Sequence, residues 1–140
     1  MSNVTIEQGK VDIEARQKLH QYARVVYNMA KDILYDSAPL DLKNAMTILS
    51  QMEEEPVSES SGWAWEVWHR LCAEGITDDL SKVDLEAIFK RGLIATQVHH
   101  WVEVTDRNER YIVDVAPPDV YSGPMLIGPR SPLALVYQLV

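Results

Sequence analysis

Apolar residues recur at helical spacing through the first half of the chain and at alternating spacing through much of the second. From Val11 to about Asp36, Ile13, Leu19, Tyr22, Ala23, Val26, Met29, Ile33 and Leu34 fall close to a 3.6-residue period with charged residues between them, which predicts a long amphipathic helix. A break near Ser37-Ala38-Pro39 leads to a shorter helix with Leu42, Ala45, Met46, Leu49 and Met52 on one stripe and the acids Glu53 to Glu55 trailing. The polar tract from Glu54 to Gly62 holds a proline and three serines, so it reads as a loop whose serines are natural helix caps. Trp63 to about Glu74 predicts a third helix with Trp65, Trp68, Leu71 and Cys72 able to share one side, stopped by Gly75. Asp84 to Lys90 predicts a brief fourth helix ended by Gly92.

The period then changes. β-Branched and aromatic residues dominate from Leu93 to Val104 and again from Tyr111 to Val115, joined by the turn-rich tract Thr105 to Arg110, which predicts a β-hairpin. Pro117-Pro118 ends its second strand. Met125-Leu126-Ile127, bracketed by Ser122-Gly123-Pro124 and Gly128-Pro129, predicts an extra short strand, and Leu133 to Val140 reads as a last strand or a short helix. Helices first and strands second give an α+β layout. We expect one domain over residues 1–140, with residues 1–60 as a helical N-terminal layer and residues 61–140 as a core helix packed on a small antiparallel sheet.

Composition narrows the function classes. The chain is 46% apolar and 24% charged, which is ordinary for a globular protein. No stretch approaches the roughly 18 unbroken apolar residues of a membrane span, and the start lacks the basic then apolar profile of a secretory signal. The expected location is therefore the cytoplasm, or delivery as an effector without a cleaved signal, with no membrane partner. A net charge of -8 argues against a phosphate backbone as partner, because such binding relies on lysines and arginines displacing counterions. The single cysteine, Cys72, excludes an internal disulfide and any cysteine-rich zinc site. His20 and His69 have no acidic or cysteine neighbours at ligand spacing, and no phosphate-cradling glycine loop is present, so chemistry without a metal or cofactor is the expectation.

The candidate chemistry sits in His99-His100-Trp101-Val102-Glu103-Val104 and Tyr111-Ile112-Val113-Asp114-Val115. A histidine and an aspartate on neighbouring strands supply a base and its orienter, and Asp114 in an apolar strand needs such a partner. The nucleophile should stand at a helix N-terminus, where backbone donors and the dipole lower a thiol pKa and stabilise an oxyanion. Gly62-Trp63-Ala64-Trp65 is that place, and position 64 carries alanine. Cys72 lies eight residues later, about two turns and roughly 12 Å along the axis. Strand alternation puts His99, Trp101 and Glu103 on one face and His100, Val102 and Val104 on the other, so a helix packed on the valine face would meet His100 instead of His99. Trp63, Trp65 and Trp101, with His100, are candidates to line a substrate groove, core packing being the ordinary role of Trp65 and Trp68.

These motifs resemble the transglutaminase-like superfamily of papain-fold enzymes, whose central helix opens with a run like Gly-x-Cys-Trp and whose strand carries His-x-Trp. The likeness covers about Gly62 to Pro117, including Gly75-Ile76 after the helix and Val113-Asp114 fifteen residues after His99. The resemblance implies a cysteine, histidine and aspartate triad with position 64 as nucleophile, His99 as base on the His-x-Trp spacing, and Asp114 as its orienter. It implies acyl transfer on a protein or peptide carboxamide, as a glutamine deamidase, a transglutaminase or a peptidase. Ala64 would leave this chain inactive, either because a parental cysteine was replaced or because the natural protein is a pseudoenzyme that binds a protein or peptide without turnover.

Overall fold

The computed structural model describes residues 2–35, 41–116 and 123–139. Helices α1 (Ser2–Tyr35), α2 (Leu42–Glu53), α3 (Glu59–Ala73) and α4 (Ile76–Ser81) precede strands β1 (Glu86–Ile94), β2 (Gln97–Thr105), β3 (Arg110–Asp114) and β4 (Met125–Ile127). A 3-10 turn over Pro132–Val136 and a two-residue strand β5 (Gln138–Leu139) follow. The sheet is antiparallel throughout, in the order β4-β3-β2-β1-β5. This is the expected α+β arrangement of helices on a small antiparallel sheet.

Three element assignments change, one of them the strand expected from Leu93 to Val104, which a turn at Ala95-Thr96 divides between β1 and β2. Helix α3 begins one turn earlier than expected, because Ser58 caps it by accepting the Ser61 amide at 3.2 Å. Gly62 therefore lies inside the helix, where an added Cβ would stand 2.6 Å from Met46 Cγ and 2.9 Å from Leu42 Cδ1, so α2 and α3 make a close approach there. The expected helix at Asp84 to Lys90 is instead most of β1, while the short helix lies earlier, at Ile76–Ser81. Ala87 and Phe89 alternate toward the helices and pair across the ladder with Val104 and Val102. Over so short a run, alternation and helical spacing are hard to tell apart, and pairing with β2 along the full strand decides it. A two-residue loop joins β1 to β2, with Ala95 at φ 56°. The predicted hairpin turn between β2 and β3 is present, held by Asp106 Oδ1 accepting from the amides of Asn108 at 2.7 Å and Glu109 at 2.8 Å. The chain break at Ser37-Ala38-Pro39, the Pro117-Pro118 strand end, and Ser122 and Val140 lie outside the described residues.

Period-two alternation divides the sheet into two faces with different cover. On one, Val102, Val104, Val113 and Val115 pack with Leu19, Ala23, Val26 and Ala30 of α1 and with Ala64, Val67 and Leu71 of α3. On the other, Trp101, Ile112 and Ile127 pack with Ala134 and Tyr137 from the C-terminal segment. Arg110 fastens that segment by donating to the carbonyls of Ala134 at 3.2 Å and Tyr137 at 2.9 Å, and it also pairs with Glu103.

Gly92, expected as a helix stop, is a strand residue in β1 that faces His99 across the ladder. A Cβ there would run into the Trp101 ring and the Gln138 carbonyl. The Gly92→Ala variant should lose about 1–3 kcal/mol through overpacking, read as a fall in thermal midpoint of about 3–5 °C for each kcal/mol; an unchanged midpoint would show that β5 and the Trp101 ring yield without cost.

Candidate functional site

The two adjacent histidines of β2 end on opposite faces of the sheet. His99 shares its face with Trp101, with which it stacks at 6.3 Å, and its Nε2 lies 3.0 and 2.9 Å from the two carboxylate oxygens of Asp114. Tyr137 donates its hydroxyl to Asp114 Oδ2 at 2.6 Å, so the fully buried carboxylate has a second partner. The expected contact between His99 and Asp114 is therefore made. It is made beneath the C-terminal segment, on the face away from α3.

Position 64 lies elsewhere. Ala64 is 0% exposed on the second turn of α3, packed in the apolar cluster with Val67, Leu71 and Val102. The triad expected from Ala64, His99 and Asp114 is not assembled, because the sheet separates residue 64 from the other two. The physical reason is the strand period: the valines that meet α3 alternate with His99 and leave it on the far side.

His100 occupies the helix-facing position. Its Nδ1 lies 2.6 Å from Ser61 Oγ and its Nε2 lies 2.6 Å from Glu53 Oε2, while Phe89 stacks on the ring at 5.3 Å and 17°. A carboxylate only accepts, so Nε2 carries the proton given to Glu53, and the neutral ring leaves Nδ1 to accept from the Ser61 hydroxyl. Ser58 Oγ in turn donates to Ser61 Oγ at 3.2 Å. Ser61 is the third residue of α3, where the first-turn amides of Glu59 and Ser60 have no partner within the helix. Glu53 is shared, since its Oε1 accepts from Arg91 Nε at 3.1 Å, and Arg91 also pairs with Glu55. Ser61 and His100 are 1% and 0% exposed. Burial holds the imidazole pKa below its ordinary value, while the Glu53 carboxylate pulls it upward and His99 and Arg91 push it down.

A hydroxyl at a helix N-terminus, a neutral imidazole and a carboxylate in series can deprotonate the hydroxyl and hold the resulting imidazolium. The sequence contained two signals for it. Alternation already aimed His100 at the valine face, and the loop serines marked the helix start. The Glu53 contribution has no local signature, because it spans 47 residues and depends on how α2 packs.

The remaining candidates serve packing. Trp101 is fully buried, edge-on to Tyr137 at 5.1 Å, with its Nε1 donating to Glu103 at 3.0 Å, so it does not line an open groove. Trp63 packs against the main core, and Trp65 stands edge-on to His69 at 4.4 Å and Phe89 at 5.3 Å. His100 is enclosed too completely to act as a free substrate-binding surface. Cys72 is exposed near the end of α3, and the burial it has pushes its thiol pKa up, the opposite of an activated nucleophile. Beside α3's first turn, an open groove of about 640 Å³ runs between α2 and the connecting loop, lined by Leu42, Met46, Gln51, Pro56, Val57 and Glu59 among others. Among the described residues no group of three or more histidines, cysteines or acids is placed to hold a metal ion, and no helix is long and apolar enough to cross a membrane.

Comparison of the chain with protein-family models, with curated proteins and with solved structures gave no match. The transglutaminase-like resemblance therefore rests on the residues quoted for it alone.

Because the folded state holds His100 below the ordinary value of 6.5, the unfolded chain binds the extra proton first on acidification. The stability contributed by the neutral ring is complete above about pH 6.5 and is lost as pH falls through the lower folded value. Urea midpoints measured from pH 8 to 5 should fall below about pH 6.5, and His100→Gln should flatten that part of the curve; an identical slope in the variant would assign the acid sensitivity to other groups.

Proposed function

We propose that this chain is a serine-dependent acyl transferase or hydrolase, with Ser61 as nucleophile, His100 as general base and Glu53 as the residue that orients the imidazole. The observation that carries the reading is the pair of 2.6 Å contacts through opposite nitrogens of one buried ring, to a helix-start hydroxyl and to a carboxylate. The acyl-transfer chemistry expected from the sequence is kept, and the residues that perform it change. Ala64 then needs no missing sulfur to explain it, since its methyl group fills a place in the core.

In the proposed reaction the Ser61 oxygen attacks a carboxamide or ester carbonyl carbon while its proton passes to His100 Nδ1. The developing oxyanion lies near the first-turn amides of α3, at the positive end of the helix dipole. Collapse of the intermediate breaks the bond to the leaving group, which takes the proton from Nδ1. Water or an amine then attacks the acyl-Ser61 ester and gives its proton to His100, which returns it to Ser61 Oγ as the ester bond breaks and the acid or the new amide is released. Glu53 keeps the Nε2–H tautomer throughout.

The enclosure of Ser61 and His100 favours a second reading, a non-catalytic module that binds a protein or peptide and uses this cluster only to fasten helices to the sheet. Incubation with a fluorophosphonate, followed by peptide mass spectrometry, separates the two. The catalytic reading expects one adduct on Ser61, none in Ser61→Ala, and labelling slowed by about 100-fold or more in His100→Gln. An unlabelled wild-type protein, or equal labelling in His100→Gln, would favour the binding module.

A further inference from the structure

We propose that Arg91 is the positioning residue of this site, its guanidinium forked between Glu53 and Glu55 so that the Glu53 carboxylate keeps one oxygen turned to His100. The proposal rests on the Ser61, His100 and Glu53 reading and adds a regulator of it. Arg91 and His100 are direct partners across β1 and β2, and cross-strand partners project from the same face of the sheet. The guanidinium thus rises beside the imidazole, toward the end of α2. Its Nε donates to Glu53 Oε1 at 3.1 Å while another nitrogen pairs with Glu55, and the second Glu53 oxygen lies 2.6 Å from His100 Nε2.

The far side of the fork is anchored as well. The Glu55 amide donates to the Ser50 carbonyl at 3.2 Å, and Ser50 Oγ donates to the Glu55 carbonyl at 2.8 Å, so the residue that holds Arg91 is tied to the last turn of α2. Glu54 between the two acids takes a left-handed conformation at φ 57°, which turns the chain so that both carboxylates reach one cation. The charged or titratable groups acting on His100 are Glu53 from α2, Arg91 from β1 and His99 on its own strand; α3 brings the Ser61 hydroxyl.

A positive charge alone would not fix the carboxylate. Two acids on one planar fork are held in a defined orientation, whereas a lysine ammonium is a point charge with freely rotating donors. Without the fork, Glu53 is free to turn away from Nε2, and the imidazole loses the partner that selects its tautomer.

The test is nitrogen-15 NMR of the histidine rings in the full chain, wild type against Arg91→Gln and Arg91→Lys, with fluorophosphonate labelling measured alongside. The wild-type His100 ring should show a single Nε2–H tautomer, and both variants should show a mixture of tautomers. Labelling of Ser61 should slow by about 10- to 100-fold in both. A wild-type tautomer pattern in Arg91→Gln would overturn the proposal, and so would full rescue by Arg91→Lys, which would reduce the role of Arg91 to charge. If Arg91→Gln does not fold, Arg91→Lys decides. Absence of labelling in the wild type would remove the catalytic reading, while the tautomer pattern would still decide whether Arg91 sets the Glu53 carboxylate.

Discussion

One buried imidazole joins three layers of this fold. His100 projects from a central strand and receives a partner at each ring nitrogen, Ser61 from the start of α3 and Glu53 from the end of α2. A ring that is wholly removed from water must satisfy both nitrogens, since an unmet polar group in the interior costs about 1–3 kcal/mol. That requirement fixes where the two helices lie relative to the sheet. It also places a hydroxyl, a base and an acid in series, which is why the same contact is at once the fastening of the structure and its candidate chemistry.

The opposite face repeats the logic with other residues. His99 meets Asp114, and Tyr137 supplies a further hydrogen bond to the same carboxylate. Trp101, Glu103 and Arg110 continue the network to the carbonyls of the C-terminal segment. Among the described residues no buried side-chain nitrogen or oxygen lacks a hydrogen-bond partner, and the sheet is a divider between two distinct polar clusters. A motif that reads as one site along the chain, two histidines in succession followed by an aspartate, is split by the strand period into halves that share no side-chain hydrogen bond.

Much of the architecture was legible before the structure. The stripe from Leu19 through Ile33 and the stripe from Leu42 to Met52 carry helical spacing over long enough windows to be unambiguous, and the valines of β2 and β3 announce a strand pair. The segment around Phe89 was not legible, because its identity as a strand depends on pairing with β2. The start of α3 lies one turn before the expected Trp63, since several loop serines can cap it and only the contact from Ser58 to the Ser61 amide chooses among them. The helix therefore starts at Glu59, which puts Ser61 instead of residue 64 in its first turn. The meeting of His99 with Asp114 followed from their places on adjacent strands, whereas Glu53 entered the site through helix packing, which has no local pattern to read.

The central claim is that His100 and Glu53 form a coupled pair, and a double-mutant cycle measures that coupling. Equilibrium urea unfolding of the wild type, His100→Gln, Glu53→Gln and the double variant at pH 7.5 gives the interaction energy without assuming any activity. The account predicts a coupling of about 1–3 kcal/mol, with the second substitution costing much less once the first is made. Effects that add to within about 0.5 kcal/mol would contradict it, because residues without a shared contact behave that way.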